Sequence, residues 1–164
     1  IRAQILPTWI IAVSAALALR TLPIDTATAA ESSNGIVRVK SGYGVDETVS
    51  RLRADIEDKG IKFFMVVDQA QLGADAGLKL KPSKLLIFGN PPLGIQFLTS
   101  NPDSGLDWPV RLLVNQDDKG QVWAVYTDFG WIARRHNITD RNAQFTMASE
   151  GIASITSSVA SKQP

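Results

Sequence analysis

The sequence predicts an α+β fold: a single domain whose mixed or largely antiparallel sheet carries helices mainly on one face. Three observations predict it. The chain has 164 residues, 45% hydrophobic and 20% charged, enough apolar surface for one ordinary core and too short for several. Short apolar runs alternate with segments of helical period, so strands and helices share one layered core. Two of the strands meet across Asp117-Asp118-Lys119-Gly120, a hairpin turn that makes at least part of the sheet antiparallel.

The elements follow in order. Gly35 to Lys40 reads GIVRVK, with Val37 and Val39 alternating against Arg38 and Lys40, the period of a half-buried strand. After the turn at Gly42 and Gly44, Val45, Val49, Leu52 and Ile56 recur at helical spacing opposite Glu47, Arg51, Asp55 and Asp58, so this helix lies on the sheet. Gly60 stands where a left-handed cap is expected. Ile61 to Val67 is apolar at nearly every position and predicts an interior strand. Gln69 to Ala76 reads as a short helix ended by Gly77, and Lys84 to Phe88 as a strand running into Gly89-Asn90-Pro91-Pro92. A short helix over Leu93 to Leu98 precedes a loop at Asn101 to Gly105. Val110 to Asn115 and Gln121 to Thr127 are the hairpin strands, and Trp131 to Arg135 is helical. The last helix, Ala143 to Val159, sets Phe145, Ala148, Ile152, Ile155 and Val159 on one stripe, and the tail Ser161 to Pro164 is expected to fray.

The N-terminal segment reads as an address. Trp9 to Leu19 is an apolar run of eleven residues broken only by Ser14, too short for a membrane span of roughly 20 residues. It has the length of a secretory signal's apolar centre, with Arg2 before it and the small residues Ala27-Thr28-Ala29 after Pro23. The expectation is a signal peptide over residues 1–29 and a mature domain over 30–164, periplasmic or secreted, with no stable membrane insertion after cleavage. Losing Arg2, Arg20 and Asp25 takes the net charge from +1 to zero.

Composition removes whole classes of function. A net charge of +1 gives no basic surface for nucleic acid. The absence of cysteine excludes disulfides, thiol catalysis and zinc- or iron–cysteine sites. His136 is the lone histidine, which cannot build a multi-histidine metal centre, so neither a metal nor a cofactor is expected. No serine sits in a nucleophile elbow.

Three clusters remain. In Phe88-Gly89-Asn90-Pro91, Asn90 is a polar group fixed at a strand end, or the motif is a structural turn. In Asp107-Trp108-Pro109-Val110-Arg111, Arg111 either pairs with a carboxylate, Asp107 being nearest, or waits in a cleft for an anion. In Trp131 to His136, His136 either bonds the last carbonyls of its helix or acts as acid or base with an orienting partner, while Arg134 and Arg135 disfavour its charged form. Trp108, Trp123, Trp131 and Tyr126 read as core and interface area.

At these clusters the chain resembles the bacterial and archaeal domain-of-unknown-function family 302. The resemblance rests on Gly77, Leu80-Lys81-Pro82-Ser83-Lys84-Leu85-Leu86-Ile87-Phe88-Gly89-Asn90-Pro91, Leu106–Arg111, Gln121–Asp128 and Ala133–His136, over roughly Gly35 to Ile138. It implies a compact strand–helix–several strands–helix fold in which dimers are expected, and no assigned reaction. The chain departs from the family pattern at Gln69, where members often carry histidine, at Trp108, where a smaller apolar residue is usual, and at Thr127 and Phe129. Gln69 weakens any family-wide histidine-based metal or haem site here.

Three functions from different classes stay open. One is a periplasmic binding or accessory module holding a small anionic or polar ligand near Asn90, Asp107, Arg111, Tyr126 and His136. Another is a homodimerisation module without ligand. The third is an enzyme with His136 or Asp107 as general base.

Overall fold

The computed structural model describes residues 34–161, so the expected signal segment lies outside the described residues. Five strands and five helices run in the order β1 (Ile36–Lys40), α1 (Val45–Asp58), β2 (Lys62–Asp68), α2 (Gln69–Asp75), β3 (Ser83–Gly89), α3 (Pro91–Ser100), β4 (Val110–Gln116), β5 (Val122–Thr127), α4 (Phe129–Arg135) and α5 (Asn142–Ser157). The sheet order is β1-β5-β4-β3-β2, and every neighbouring pair is antiparallel. The protein is α+β, as its pattern predicts.

Alternation along the strands divides the sheet into two faces. Leu86 and Phe88, Leu112 and Val114, and Val122 and Ala124 are buried. They share one core with Leu52 and Ile56 of α1 and with Phe145, Ile152 and Ile155 of α5. Phe97 of α3 stacks on Phe145 with ring centroids 4.1 Å apart. The intervening residues Leu85, Ile87, Leu113, Trp123 and Val125 are only half-buried and form the opposite, open face.

Local chemistry sets the element ends. Asp128 Oδ1 accepts from Trp131 N at 2.7 Å, so α4 starts at Phe129, two residues before the apolar pattern suggests. Pro91 and Pro92 occupy the first turn of α3, where their missing N–H groups cost nothing. The Asn101–Gly105 stretch, expected as a loop, is a 3-10 turn over Pro102–Leu106 whose cap Asn101 accepts from Asp103 N at 3.0 Å. In the hairpin, Asp117 Oδ1 accepts from Lys119 N and Gln121 N, both at 2.9 Å, and Gly120 takes φ +79°.

Two expectations are corrected. β2 is an edge strand rather than an interior one: Phe64, Met65 and Val66 are exposed, and its register to β3 shifts between Phe63 and Met65. A continuous apolar run does not by itself tell an edge from a centre. Ser161 does not fray, because its N–H donates to Lys40 O at 2.9 Å next to the Ser41–Ala160 bridge; the last three residues lie outside the described range.

Candidate functional site

The end of the sheet where β3 and β4 meet α3 and α5 holds both features from which chemistry can be argued. The first is a cluster around one carboxylate. Asp107 follows the 3-10 turn and its side chain is 5% exposed. His136 Nε2 lies 2.6 Å from Asp107 Oδ2, and Arg135 donates to both carboxylate oxygens at 3.0 and 3.2 Å. Arg111 donates to Oδ1 at 3.2 Å and to Leu106 O at 2.6 Å. Asn101 Nδ2 also donates to His136 O at 2.8 Å. These bonds tie the entry to β4 to the C-terminus of α4.

The cluster revises the expectations for its members. His136 caps α4 through its backbone N–H to Ile132 O at 3.1 Å, but its ring turns to Asp107 rather than to the last carbonyls. The side chain of Arg111 is 50% exposed, so its pair with Asp107 joins a buried carboxylate to a solvated guanidinium. Beside Asp107, Arg111 and Thr127 runs a crevice of about 20 Å³, the size of one water. An imidazole oriented by a carboxylate is the geometry of a general base, yet this crevice offers no room for a substrate.

The second feature is an apolar chamber of about 180 Å³ between β3, α3 and α5. Phe88, Leu93, Phe97, Phe129, Ile152 and Ile155 are among the residues that line it. Exposed Asn90 and Met147 also line it, which places them at its mouth. Trp108, also in the lining, lies against two glycines. A Cβ on Gly94 would sit 1.8 Å from Trp108 Nε1, and one on Gly89 3.2 Å from the same ring. Gly89 has no left-handed φ, so a side chain there would be crowded by the indole rather than by the turn geometry. Across the chamber, a Cβ on Gly151 would meet nothing within 4 Å.

The expected site residues therefore fall into three places. Asp107, Arg111 and His136 converge. Asn90 stands at the mouth of the neighbouring chamber, its side chain making no hydrogen bond to any described residue and leaving the α3 cap unfilled. Tyr126 faces Val37 across β1 and β5 and lines neither cavity. Burial pushes its hydroxyl pKa up, and the Asp128 carboxylate adds to that shift. Sequence reasoning missed the chamber. Its signal was two of the helical glycines, Gly94 in α3 and Gly151 in α5, each costing about 1 kcal/mol of helix propensity unless something needs the space.

Comparison with known proteins matches residues 37–156 to the family model described as Domain of unknown function DUF302. The chain belongs to the DUF302 family. The match extends past the Ile138 limit of the motif resemblance and takes in nearly all of α5, so the helix that walls the chamber is part of the DUF302 domain. A crystal structure of an uncharacterized conserved DUF302 protein from Bacillus stearothermophilus has a TM-score of 0.70 at 18% identity, covering 76% of this chain and 98% of that one; the two share the fold. Curated relatives named "Fluoride-specific ion channel FluC 1", from Brucella suis and Brucella abortus, are each 38% identical over 105 residues, 64% of this chain. The match covers 41% and 39% of their respective lengths, so it spans about two fifths of each. No described helix of this DUF302 chain is long and apolar enough to cross a membrane.

Proposed function

We propose that this DUF302 domain is an exported small-molecule-binding or accessory module whose site is the chamber between β3, α3 and α5. The observation that carries this reading is an apolar chamber of about 180 Å³ with exposed residues at its mouth, kept clear by glycine at position 151. Concave, mostly apolar cavities with few polar groups are the usual form of a small-ligand site. The anionic ligand expected from Arg111 gives way to an apolar one, because no charged side chain lines this chamber. Export rests on the Trp9–Leu19 run and the small residues Ala27-Thr28-Ala29. The accessory role draws support from relatives named as channels, in which the matched stretch is the smaller part of the length.

Native mass spectrometry of the gently purified full chain tests the binding reading. Added small-molecule mass on the wild type, absent from Gly151→Leu, is expected; identical spectra of both without added mass count against it. Cell fractionation with N-terminal sequencing tests export, with a start at Ala30 or Glu31 expected and an uncleaved membrane-embedded product opposing it.

A second reading, a homodimer, is favoured by the open sheet face, where Leu85, Ile87, Leu113 and Val125 form a half-exposed apolar row. Such a patch suits burial against a second copy. Sedimentation velocity of the wild type and Leu113→Glu distinguishes a dimer broken by the charge from a monomer in both.

A further inference from the structure

The chamber's size, its lack of charge and its two unpartnered polar groups together narrow what it accepts. Its volume of about 180 Å³ compares with the roughly 150 Å³ of an engineered apolar cavity that binds benzene. One ring with a small substituent fills a space of that size. Phe88, Phe97, Trp108 and Phe129 contribute to the wall and Met147 stands at the rim. Ring edges and a thioether favour an aromatic guest over a saturated one. With no charged side chain in the wall, an ionic guest would give up its hydration without a counter-charge.

The two polar groups are Trp108 Nε1–H and the Asn90 amide. No acceptor among the described residues reaches the indole N–H, which lies over Gly94 in the chamber wall. A guest that covers this N–H takes its water away, and one bearing an acceptor replaces the lost bond. Asn90 supplies a second, solvated group at the mouth.

Resting on the reading of the chamber as the binding site, we propose that it takes a neutral single-ring aromatic molecule bearing one oxygen acceptor, such as an aryl ketone or a phenol. Trp108 determines the specificity: its N–H selects the oxygen.

Three probes of similar shape test it with the full chain: acetophenone, its acceptor-free counterpart isopropylbenzene, and benzoate. Affinities come from calorimetric titration, and the Trp108 indole N–H resonance is followed by NMR. Acetophenone is expected to bind about fivefold or more tighter than isopropylbenzene, the worth of one net hydrogen bond, and to move the indole N–H resonance downfield. Benzoate is expected to bind at least about tenfold weaker than acetophenone. Trp108→Phe should keep isopropylbenzene binding and lose the preference, while Asn90→Ala keeps most of it. Equal affinities of acetophenone and isopropylbenzene, with an unmoved indole resonance, overturn the acceptor claim and leave the ligand-binding reading standing. Benzoate binding tightest overturns the neutral class. Binding by none of the three overturns both this proposal and the reading beneath it. Should Trp108→Phe fail to fold, the indole resonance in the wild type still decides.

Discussion

Substituting alanine for Gly94 and for Gly151 should move stability in opposite directions. Gly94 and Gly151 sit inside α3 and α5, and replacing either with Ala recovers about 1 kcal/mol of helix propensity. At Gly151 the new methyl group meets open space, so the gain is expected nearly in full, roughly 0.5–1 kcal/mol. At Gly94 it would stand 1.8 Å from Trp108 Nε1 and 2.3 Å from Cε2. The indole is a rigid ring and cannot yield there as a flexible chain end would, and a Cβ on Gly89 would also come within 3.2 Å of it. Overpacking costs about 1–3 kcal/mol, so Gly94→Ala should be net destabilised by roughly 1–2 kcal/mol. Urea unfolding monitored by circular dichroism reads both values, and Trp108→Ala combined with Gly94→Ala should recover part of the loss. If Gly94→Ala proves as stable as Gly151→Ala, the indole does not rest on α3 and the described packing of Trp108 is wrong.

Three further outcomes follow from the site. Asp107→Ala removes the common partner of His136, Arg135 and Arg111 and, since the guanidiniums it leaves are half-exposed, should cost about 2–3 kcal/mol, chiefly from lost buried hydrogen bonds, whereas Arg111→Met breaks a half-solvated pair and should cost about 1 kcal/mol or less; equal urea midpoints would contradict the cluster. Gly89→Val forces branched carbons into the Trp108 ring and should destabilise more than Asn90→Ala, which removes an exposed side chain without a bond; a larger loss for Asn90→Ala would refute this. Asp117 is held below the ordinary carboxylate range, chiefly by the Trp123 Nε1–H bond, with Gln121 and Lys119 N–H groups adding and burial opposing. A depressed folded pKa gives stability that is present above the unfolded value of about 3.9 and lost as pH falls through the folded one. Stability below pH 4 should therefore decline less steeply in Asp117→Asn than in the wild type when thermal unfolding is followed against pH.

The fold was legible because its signals are local. Val37 and Val39 against Arg38 and Lys40, the helical spacing of α1, and the Asp117–Gly120 turn each specify an element without reference to the rest of the chain. The place of β2 was not legible, since Phe63 to Val67 suit a buried centre and an uncovered edge equally well, and only the pairing of other strands decides. Of the site, the Asp107–Arg111 contact could be read from spacing of four residues at the entry to a strand. His136, 29 residues from Asp107, joins them only through the packing of α4. The chamber was hidden for a different reason. Its walls are ordinary core residues, and an unfilled space between them leaves no mark in a sequence except at positions such as Gly94 and Gly151, where a helix tolerates glycine.

The central claim, that the chamber is a binding site, is most directly tested by unfolding the full chain in the presence of benzene. A guest that binds only the folded state stabilises it by RT ln(1 + [L]/Kd), about 2.7 kcal/mol at a hundredfold excess over Kd. Saturable stabilisation of the wild type, absent from Gly151→Leu, whose side chain fills the chamber, is the predicted result. A wild type that benzene leaves unchanged, or a Gly151→Leu variant stabilised equally, would contradict it.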